Sequence, residues 1–210
     1  YLKKQWLYQS PQIVKRMDEL YGSSDHGQGT KVQVEFVSAN PTGLLHMGNA
    51  RGAALGDSIA NLLKMAGYEV SKEYYINDAG NQIENLGKSL EVIYLEQYGI
   101  ELPFPEDGYH GDDLRDTVKR FIDKYADKYQ DTSSELRKEK LIEFALAEKL
   151  SHIKSVLAQF GVEYDCWFSE QSLHDSGLIK SVIEKLEREG YTYEKDGAIW
   201  FKSREFGDEK

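Results

Sequence analysis

Cysteine is almost absent from this sequence: Cys166 is the only one among 210 residues. A single cysteine excludes an intrachain disulfide framework and any cysteine-rich metal site. A lone free thiol is typical of a reducing compartment, so we expect a cytoplasmic location. Four histidines lack metal-ligand spacing and are interpreted as structural or solvated, so no metal site is predicted: His26, His110, His152 and His174.

Long apolar runs are also missing. No run approaches the ~20 residues that a membrane-spanning helix needs, so we expect no membrane partner. The chain starts "YLKKQW", without an initiating methionine and without the apolar core of a signal peptide. We therefore expect it to be a piece of a longer protein.

The chain also lacks an excess of basic residues, since its formal net charge is −10. A domain that grips nucleic acid over a broad face is usually basic. This chain is therefore not expected to be the main nucleic-acid anchor, although it could receive the end of a strand delivered by another domain. The apolar content of 40% and the aromatic content of 12% exclude a wholly disordered chain.

After a polar lead-in over residues 1–31, the sequence has the pattern of strand, helix and strand. Alternation in "VQVEFV" (32–37) predicts a strand that stops at Asn40-Pro41, because proline removes a donor and restricts the residue before it. A helix over about 48–66 and a second strand over 69–76 complete a βαβ unit, 32–80. The predicted apolar stripe of that helix is Leu55, Ile59, Leu62, Leu63 and Ala66.

The pattern then becomes helical. Three helices are predicted over 81–98, 112–129 and 134–160 before the next strand signal at 162–168. A crossover between parallel strands needs only one helix, so residues 81–161 are predicted to be an inserted helical region. The charged run "SSELRKEK" is interpreted as a solvated helix start. The apolar stripe predicted for the third helix is Ile142, Leu146, Leu150, Ile153, Leu157 and Phe160.

Residues 162–210 are predicted to continue as strand, helix and hairpin. Asp175 is the expected N-cap of a helix that closes at Gly190. Asp196-Gly197 lies between alternating apolar residues, which is a strong hairpin signal. No internal repeat or low-complexity tract is present.

The segment "ANPTGLLHMGN" lies after the first predicted strand and before its helix, where ligands bind in open α/β sheets. The helix N-terminus supplies free N–H groups suited to phosphate, and Gly48 lets a ligand approach the backbone. His46 and Asn49, three residues apart, can direct donors at one anion. The alternative is a plain connecting loop with a solvated histidine. The segment consists of Ala39, Asn40, Pro41, Thr42, Gly43, Leu44, Leu45, His46, Met47, Gly48 and Asn49.

Several blocks together resemble bacterial arginyl-tRNA synthetases, members of the class I aminoacyl-tRNA synthetases. "HMGN" is similar to the HIGH signature of that class, and related nucleotidylyltransferases have a similar signature. The other blocks occur in the family's order and extend the resemblance over nearly the whole chain from about residue 30. They are "VEFVSANPTG", "ARGAALGD", "EYYINDAGNQI", "WFSEQSLHDSG" and "YEKDGAIWF".

The resemblance implies an α/β fold: the first half of a Rossmann-like nucleotide-binding domain, with a large helical insertion and a terminal β-hairpin. It also implies that ATP phosphates are bound by His46, Gly48 and Asn49, with His46 and Asn49 acting in catalysis. Asn49 departs from the family pattern, which usually has a second histidine there. Asparagine can donate a hydrogen bond but cannot become a cation.

The resemblance further implies an arginine site that includes Glu35 and Asn40, with Ser38 beside them. Glu35 has an independent physical argument, because an acid at a strand end is costly to bury unless it is paired, and a guanidinium offers a matching fork. Without the resemblance, Glu35 would be read as a surface acid and Asn40 as a turn residue. Asn77 and Asp78 are either turn residues or neighbours of the same cleft.

The implied activity is that of an arginine–tRNA ligase, with arginine, ATP with Mg²⁺ as a substrate complex, and the acceptor end of tRNA(Arg) as partners. No tightly bound cofactor is expected, and the protein is expected to be a monomer. The second signature region, part of the arginine site and the anticodon-binding domain are expected to lie outside the chain, which should be inactive alone. Two alternatives stay open: a nucleotidylyltransferase, which would lack the helical insertion, and a catalytically dead binding module, supported only by Asn49.

Overall fold

The computed structural model describes residues 3–208, and the chain divides into one compact unit up to Phe168 and another from Ser169 onward. The helices up to Phe168 are α1 (Lys4–Met17), α2 (Met47–Met65), α3 (Asn81–Glu96), α4 (Asp112–Tyr125) and α5 (Ser134–Gln159). The strands are β1 (Lys31–Glu35), β2 (Glu69–Ile76) and β3 (Cys166–Ser169), the last residue of which crosses the unit boundary.

A parallel βαβ unit forms the first part of the fold, as predicted. β1 pairs with β2 in parallel from Lys31↔Glu69 to Glu35↔Glu73, and the sheet order is β1-β2-β3. The α/β class with a parallel strand pair is therefore confirmed. β1 stops two residues earlier than predicted, because Val37 has a positive φ of 66° that strand pairing does not allow.

The buried face of α2 differs from the prediction. Its buried residues are Ala53, Gly56 and Ala60, whereas Leu55 and Leu62 of the predicted stripe are 62% and 69% exposed. A Cβ built on Gly56 would lie 2.2 Å from the Phe36 side chain, so only small residues let α2 pack this close to the sheet. The larger apolar residues of α2 consequently face away from it.

The three predicted helices between β2 and β3 are confirmed as α3, α4 and α5. Ile153 and Leu157 of the predicted stripe are buried, as expected, whereas Phe160 is 54% exposed. In the first half of α5 the buried line lies one position before the predicted one. The N-terminal half of α5 packs with α3 and α4, and its C-terminal half packs against the sheet. α5 therefore connects the helical core to the sheet core; its buried residues are Arg137, Leu141, Ala145, Lys149, Ile153 and Leu157.

The burial of Arg137 corrects the prediction of a solvated charged run. Its side chain is 8% exposed, and Nη1 lies 2.7 Å from Glu91 Oε1 on α3. The charged composition of "SSELRKEK" suggested a solvated helix face. The Arg137 guanidinium is nevertheless directed inward, because it pairs there with the buried carboxylate of Glu91.

Two other predicted boundaries change. The lead-in contains a fourteen-residue helix, α1, which forms despite an internal proline, Pro11, and none of its described side chains is buried. β3 begins at Cys166 rather than 162, because Val162 is used to close α5: its N–H donates to Leu157 O at 2.9 Å. Asp165 then pairs with the backbone of Lys72 on β2.

From Ser169 onward the chain forms α6 (Gln171–Asp175), α7 (Leu178–Arg188) and a hairpin of β4 (Thr192–Lys195) and β5 (Ala198–Phe201). The hairpin is confirmed, and its turn residues Asp196 and Gly197 have φ of 54° and 74°. The predicted cap at Asp175 is wrong. Asp175 ends α6, and Gly177 with φ 70° precedes α7, because glycine tolerates the left-handed conformation at that break.

No helix within residues 3–208 is both long and apolar enough to span a bilayer.

Candidate active site

The loop that follows β1 has a strained backbone. Val37 and Ser38 have φ of 66° and 38°, a left-handed conformation that is a genuine outlier for a β-branched residue. Each such residue costs about 1–3 kcal/mol and persists only when the surroundings hold it in place. The strain lies at the carboxyl end of a strand, next to the segment singled out by its sequence.

Three hydrogen bonds from β2 and from the segment before β3 hold this loop. The Tyr74 hydroxyl donates to Ala39 O at 2.9 Å, and the Tyr164 hydroxyl donates to Phe36 O at 3.1 Å. Ser38 Oγ accepts the backbone N–H of Tyr75 at 3.1 Å. β2 and the segment before β3 therefore fix the loop from outside it.

The tyrosine donors keep their protons at neutral pH. Burial raises the pKa of Tyr74 to about 12. Burial also raises the pKa of Tyr164, and the neighbouring Tyr74 adds to that rise. Both hydroxyls can therefore donate throughout the physiological range.

His46 and Asn49 together cap the N-terminus of α2. His46 Nδ1 accepts the N–H of Gly48 at 3.1 Å, and Asn49 Oδ1 accepts the N–H of His46 at 3.0 Å. With Nδ1 used as an acceptor, the proton of the neutral imidazole lies on Nε2. The capping box thus leaves His46 Nε2–H and the Asn49 amide NH₂ as donors at a helix N-terminus, where anions are favoured.

Gly48 is required by the position of the histidine ring. A Cβ at Gly48 would lie 2.9 Å from His46 Cε1 and 3.1 Å from Nδ1. Any side chain there would push the imidazole from the Gly48 N–H that orients it. Glycine at this position is therefore needed for the packing of the His46 ring, and it also lets a ligand approach the backbone closely.

The predicted arginine-site residues lie around the same sheet edge. Glu35 is exposed at the end of β1, and no hydrogen bond or ion pair within residues 3–208 involves its carboxylate. Asn40 Nδ2 donates to Gln82 Oε1 at 2.6 Å, which joins the loop after β1 to the start of α3. Asn77 and Asp78 are half-buried directly after β2.

The carboxyl ends of parallel strands meet at one edge, so the two predicted groups share it. Within the described residues, no direct hydrogen bond joins Glu35 or Ser38 to His46 or Asn49. Sequence reasoning missed Tyr74, Tyr164 and Gln82. Tyr74 and Gln82 had a signal, since both belong to the block "EYYINDAGNQI", whereas Tyr164 lies outside every such block.

A groove of about 630 Å³ adjoins His46 on the side of α5. Its lining is mainly apolar, so it suits a flat or apolar group better than a phosphate. The lining residues are Leu45, His46, Met47, Ala50, Ala53, Val156, Leu157, Gln159 and Phe160. Within residues 3–208, no three His, Cys, Asp or Glu side chains are grouped so as to hold a metal ion.

The chain matches a family of known proteins over nearly its whole length. The model for the catalytic domain of class I (R) tRNA synthetases covers residues 11–209. Proteins named arginine–tRNA ligase from Moorella thermoacetica and Desulfitobacterium hafniense are 65% and 62% identical over 209 residues. In each comparison the match spans 100% of this chain and 37% of the relative.

A solved structure gives the same result. The crystal structure assigned as an arginyl-tRNA synthetase from Campylobacter jejuni matches with a TM-score of 0.81 and 33% identity. That match covers 100% of this chain and 45% of the other. The chain therefore belongs to the class I (R) tRNA synthetase catalytic-domain family.

Proposed function

We propose that this chain is part of an arginine–tRNA ligase, and that the edge formed by the ends of β1 and β2 is its catalytic site. The observation that supports this best is the capping box of His46 and Asn49, which presents two side-chain donors at a helix N-terminus. The names of the relatives from Moorella and Desulfitobacterium agree with this proposal. The chain spans 37% of their length, so the activity belongs to the whole protein.

The ATP side of the proposed site is the start of α2. His46 Nε2–H and the Asn49 amide would donate to phosphate oxygens, and Gly48 would let them approach the backbone. Donors aimed at charge that develops in the transition state stabilise it. Mg²⁺ would arrive with the nucleotide, where it neutralises phosphate charge.

The arginine side is the end of β1 and its strained loop. The Glu35 carboxylate would accept the guanidinium, which offers parallel N–H donors to a planar acceptor. Asn40 and Ser38 would hold the rest of the amino acid. Asn77 and Asp78 would border the same cleft from the end of β2.

The reaction would proceed in two steps. The arginine carboxylate attacks the α-phosphorus of ATP, pyrophosphate leaves, and arginyl-adenylate forms. The terminal ribose hydroxyl of tRNA then attacks the arginyl carbonyl, and AMP leaves. Resemblance to the family adds that the first step itself requires tRNA. The acceptor end of tRNA would be delivered to this edge, largely by surfaces outside this acidic chain.

In this proposal the βαβ unit is the first half of a Rossmann-like domain, and helices α3 to α5 are an insertion between its strands. The protein would act as a cytoplasmic monomer. A catalytically dead binding module is less well supported than a ligase. Asn49, the residue that suggested it, accepts a hydrogen bond in the helix cap through Oδ1 and still has an amide NH₂ that can donate to a ligand.

Glu35→Gln in the full-length protein tests the arginine site. Losing a charged hydrogen-bond partner of the guanidinium should cost about 2 kcal/mol of binding free energy. The kcat/KM for arginine should therefore fall roughly thirtyfold. The KM for ATP should change little, because the start of α2 is untouched. Steady-state aminoacylation with each substrate varied in turn measures both.

The matched control is Glu69→Gln, an exposed acid at the far end of the parallel strand pair. It should leave arginine kinetics within about twofold of wild type. If Glu35→Gln behaves like Glu69→Gln, Glu35 is not a guanidinium ligand.

The isolated chain of 210 residues should fold but aminoacylate tRNA at least tenfold more slowly than the full-length protein. It should fold because both hydrophobic cores are built from residues within the chain. Its rate should be low because a misplacement of about 1 Å in a catalytic cleft can lower the rate ~10²-fold. Circular dichroism would establish folding, and arginylation of cognate tRNA would measure activity. A folded fragment with turnover close to that of the full-length protein would show that the proposed site is complete without the rest.

A further inference from the structure

The chain makes a three-residue γ-turn directly after β1. The Ser38 N–H donates to Phe36 O at 3.0 Å, and Val37, which lies between them, has a φ of 66°. A γ-turn whose central residue has a positive φ is the rare and strained form, and a β-branched residue raises its cost further. The turn therefore needs contacts from outside it in order to persist.

This turn sets the relative positions of the three proposed arginine ligands. Glu35 precedes Val37 in the chain, whereas Ser38 and Asn40 follow it. A change in the backbone angles of Val37 would move Ser38 and Asn40 relative to the Glu35 carboxylate. A site that is already held in its binding conformation avoids the free-energy cost of ordering when the ligand binds. The proposed affinity for arginine consequently depends on the conformation of one strained residue.

The hydroxyl of Tyr164 acts on the carbonyl that closes the turn. It donates to Phe36 O at 3.1 Å, and the same oxygen accepts the Ser38 N–H. The direction of this bond is unambiguous, because a carbonyl oxygen can only accept. Tyr164 therefore holds the peptide group between Phe36 and Val37 in the orientation that the strained turn requires.

Packing keeps this hydroxyl in place. The Tyr164 ring lies 4.6 Å from the Phe36 ring and 5.2 Å from the Trp167 ring, measured between centroids. The next residue, Asp165, donates its N–H to Lys72 O at 2.9 Å and accepts the Lys72 N–H through Oδ2 at 2.7 Å. The segment that follows α5 is therefore fixed to β2, and its attachment determines where the hydroxyl lies.

We propose that Tyr164 is a positioning residue: through its hydroxyl, the segment that follows the helical region holds the γ-turn at Val37 and so presets the arginine side of the site. The inference rests on the proposed arginine site and adds to it a residue that contacts no substrate. It predicts that the hydroxyl of Tyr164, rather than its ring, controls the KM for arginine.

Tyr164→Phe in the full-length protein removes the hydroxyl and keeps the ring. Loss of this one hydrogen bond should raise the KM for arginine about fivefold. The kcat and the KM for ATP should stay within about twofold of wild type, because the capping box of His46 and Asn49 is left unchanged. Steady-state aminoacylation with each substrate varied in turn measures all three constants.

The matched control is Tyr94→Phe. Tyr94 is a buried tyrosine of the helical core, and its hydroxyl also donates to a backbone carbonyl, Ala126 O, at 3.2 Å. The same chemical change there should lower the urea midpoint of unfolding at least as much as Tyr164→Phe does, and it should leave the arginine KM unchanged. The comparison separates a positioning role from a general loss of stability. Circular dichroism checks that each variant is folded.

A second variant tests whether the hydroxyl acts through the strain at Val37. Glycine adopts a positive φ without the steric cost that valine carries. In a Val37→Gly background the turn needs less support from outside. Adding Tyr164→Phe to that background should therefore raise the arginine KM by less than about twofold, instead of the fivefold expected in the wild type.

An arginine KM in Tyr164→Phe within about twofold of wild type, or no higher than that in Tyr94→Phe, would overturn the positioning role. A full rise that persists in the Val37→Gly background would also overturn it, since the hydroxyl would then act by another route. The proposed arginine site is tested separately by Glu35→Gln. A large effect there beside a silent Tyr164→Phe would reject only this inference, whereas two silent variants would reject the site itself.

Discussion

Replacing Arg137 with alanine should lower the free energy of unfolding of this chain by about 3–5 kcal/mol, the usual cost of breaking a buried ion pair by removing one partner. The guanidinium meets Glu91 Oε1 at 2.7 Å and donates to three backbone carbonyls. Those contacts are Nε to Tyr129 O at 2.9 Å, and Nη2 to Gln130 O and to Thr132 O at 2.7 Å each. Alanine would leave all four acceptors without this partner.

Lysine should not rescue this position. The carbonyls of the segment between α4 and α5 surround a planar group with several N–H donors, and an ammonium on a flexible stem cannot reach the same set. We expect Arg137→Lys to recover less than half of the lost stability. Urea unfolding followed by circular dichroism would measure both variants.

The control for charge removal is Arg115→Ala. Arg115 pairs with Glu96 at 3.0 Å, but their side chains are 56% and 50% exposed. An exposed pair contributes about 0–1 kcal/mol, so this variant should unfold close to wild type. If Arg137→Ala were no more harmful than Arg115→Ala, the network around Glu91 would not stabilise the helical core.

This network also matters for the site, although it lies outside it. Arg137 ties the first turns of α5 to α3, and the far end of α5 supplies Ile153 and Leu157 to the sheet core. That core contains Tyr74, whose hydroxyl holds the strained loop after β1. A loosened α5 is therefore expected to reduce activity as well as stability.

Local signals predicted the elements of this fold well. The hairpin at Asp196-Gly197 and the helices α3 to α5 depend on turn residues and periodicity that are present in a few neighbouring positions. Two of the failures concern which face of a helix is buried. For α2, small residues pack on the sheet at Gly56 because the backbones approach closely, and periodicity of large apolar residues cannot show this. Arg137 was misjudged for a similar reason, since its partner Glu91 is 46 positions away.

The candidate site was predictable in its location but not in its supports. A strand, a glycine-containing loop and a helix start are contiguous in sequence, so the region around His46 could be recognised directly. The hydroxyl of Tyr164 reaches Phe36 O across 128 positions, and Gln82 meets Asn40 across 42. Nothing in the local pattern of a tyrosine or a glutamine indicates such a partner. The strain at Val37 likewise becomes visible only in the backbone angles.

His46→Ala should reduce kcat/KM of the full-length protein for aminoacylation roughly 10²–10³-fold, the effect of losing one transition-state donor. Asn49→His should change the rate only modestly. An imidazole Nδ1 can accept the N–H of His46 as Asn49 Oδ1 does, and its Nε2–H can replace the amide as the donor. The asymmetry arises because alanine removes both the cap and the donor at position 46, whereas histidine keeps both at position 49.

The measurement is steady-state aminoacylation with ATP and arginine varied separately, with circular dichroism to confirm that each variant is folded. His152→Ala is the matched control, because His152 is exposed on α5 and lines a neighbouring cavity with Gly43 and Leu44. It should leave kcat/KM within about twofold of wild type, since no role in binding phosphate is proposed for it. A loss in His46→Ala no larger than that in His152→Ala would remove the start of α2 from the chemistry. An Asn49→His loss as large as that in His46→Ala would instead show that the asparagine amide, rather than a donor of either kind, is what the site requires.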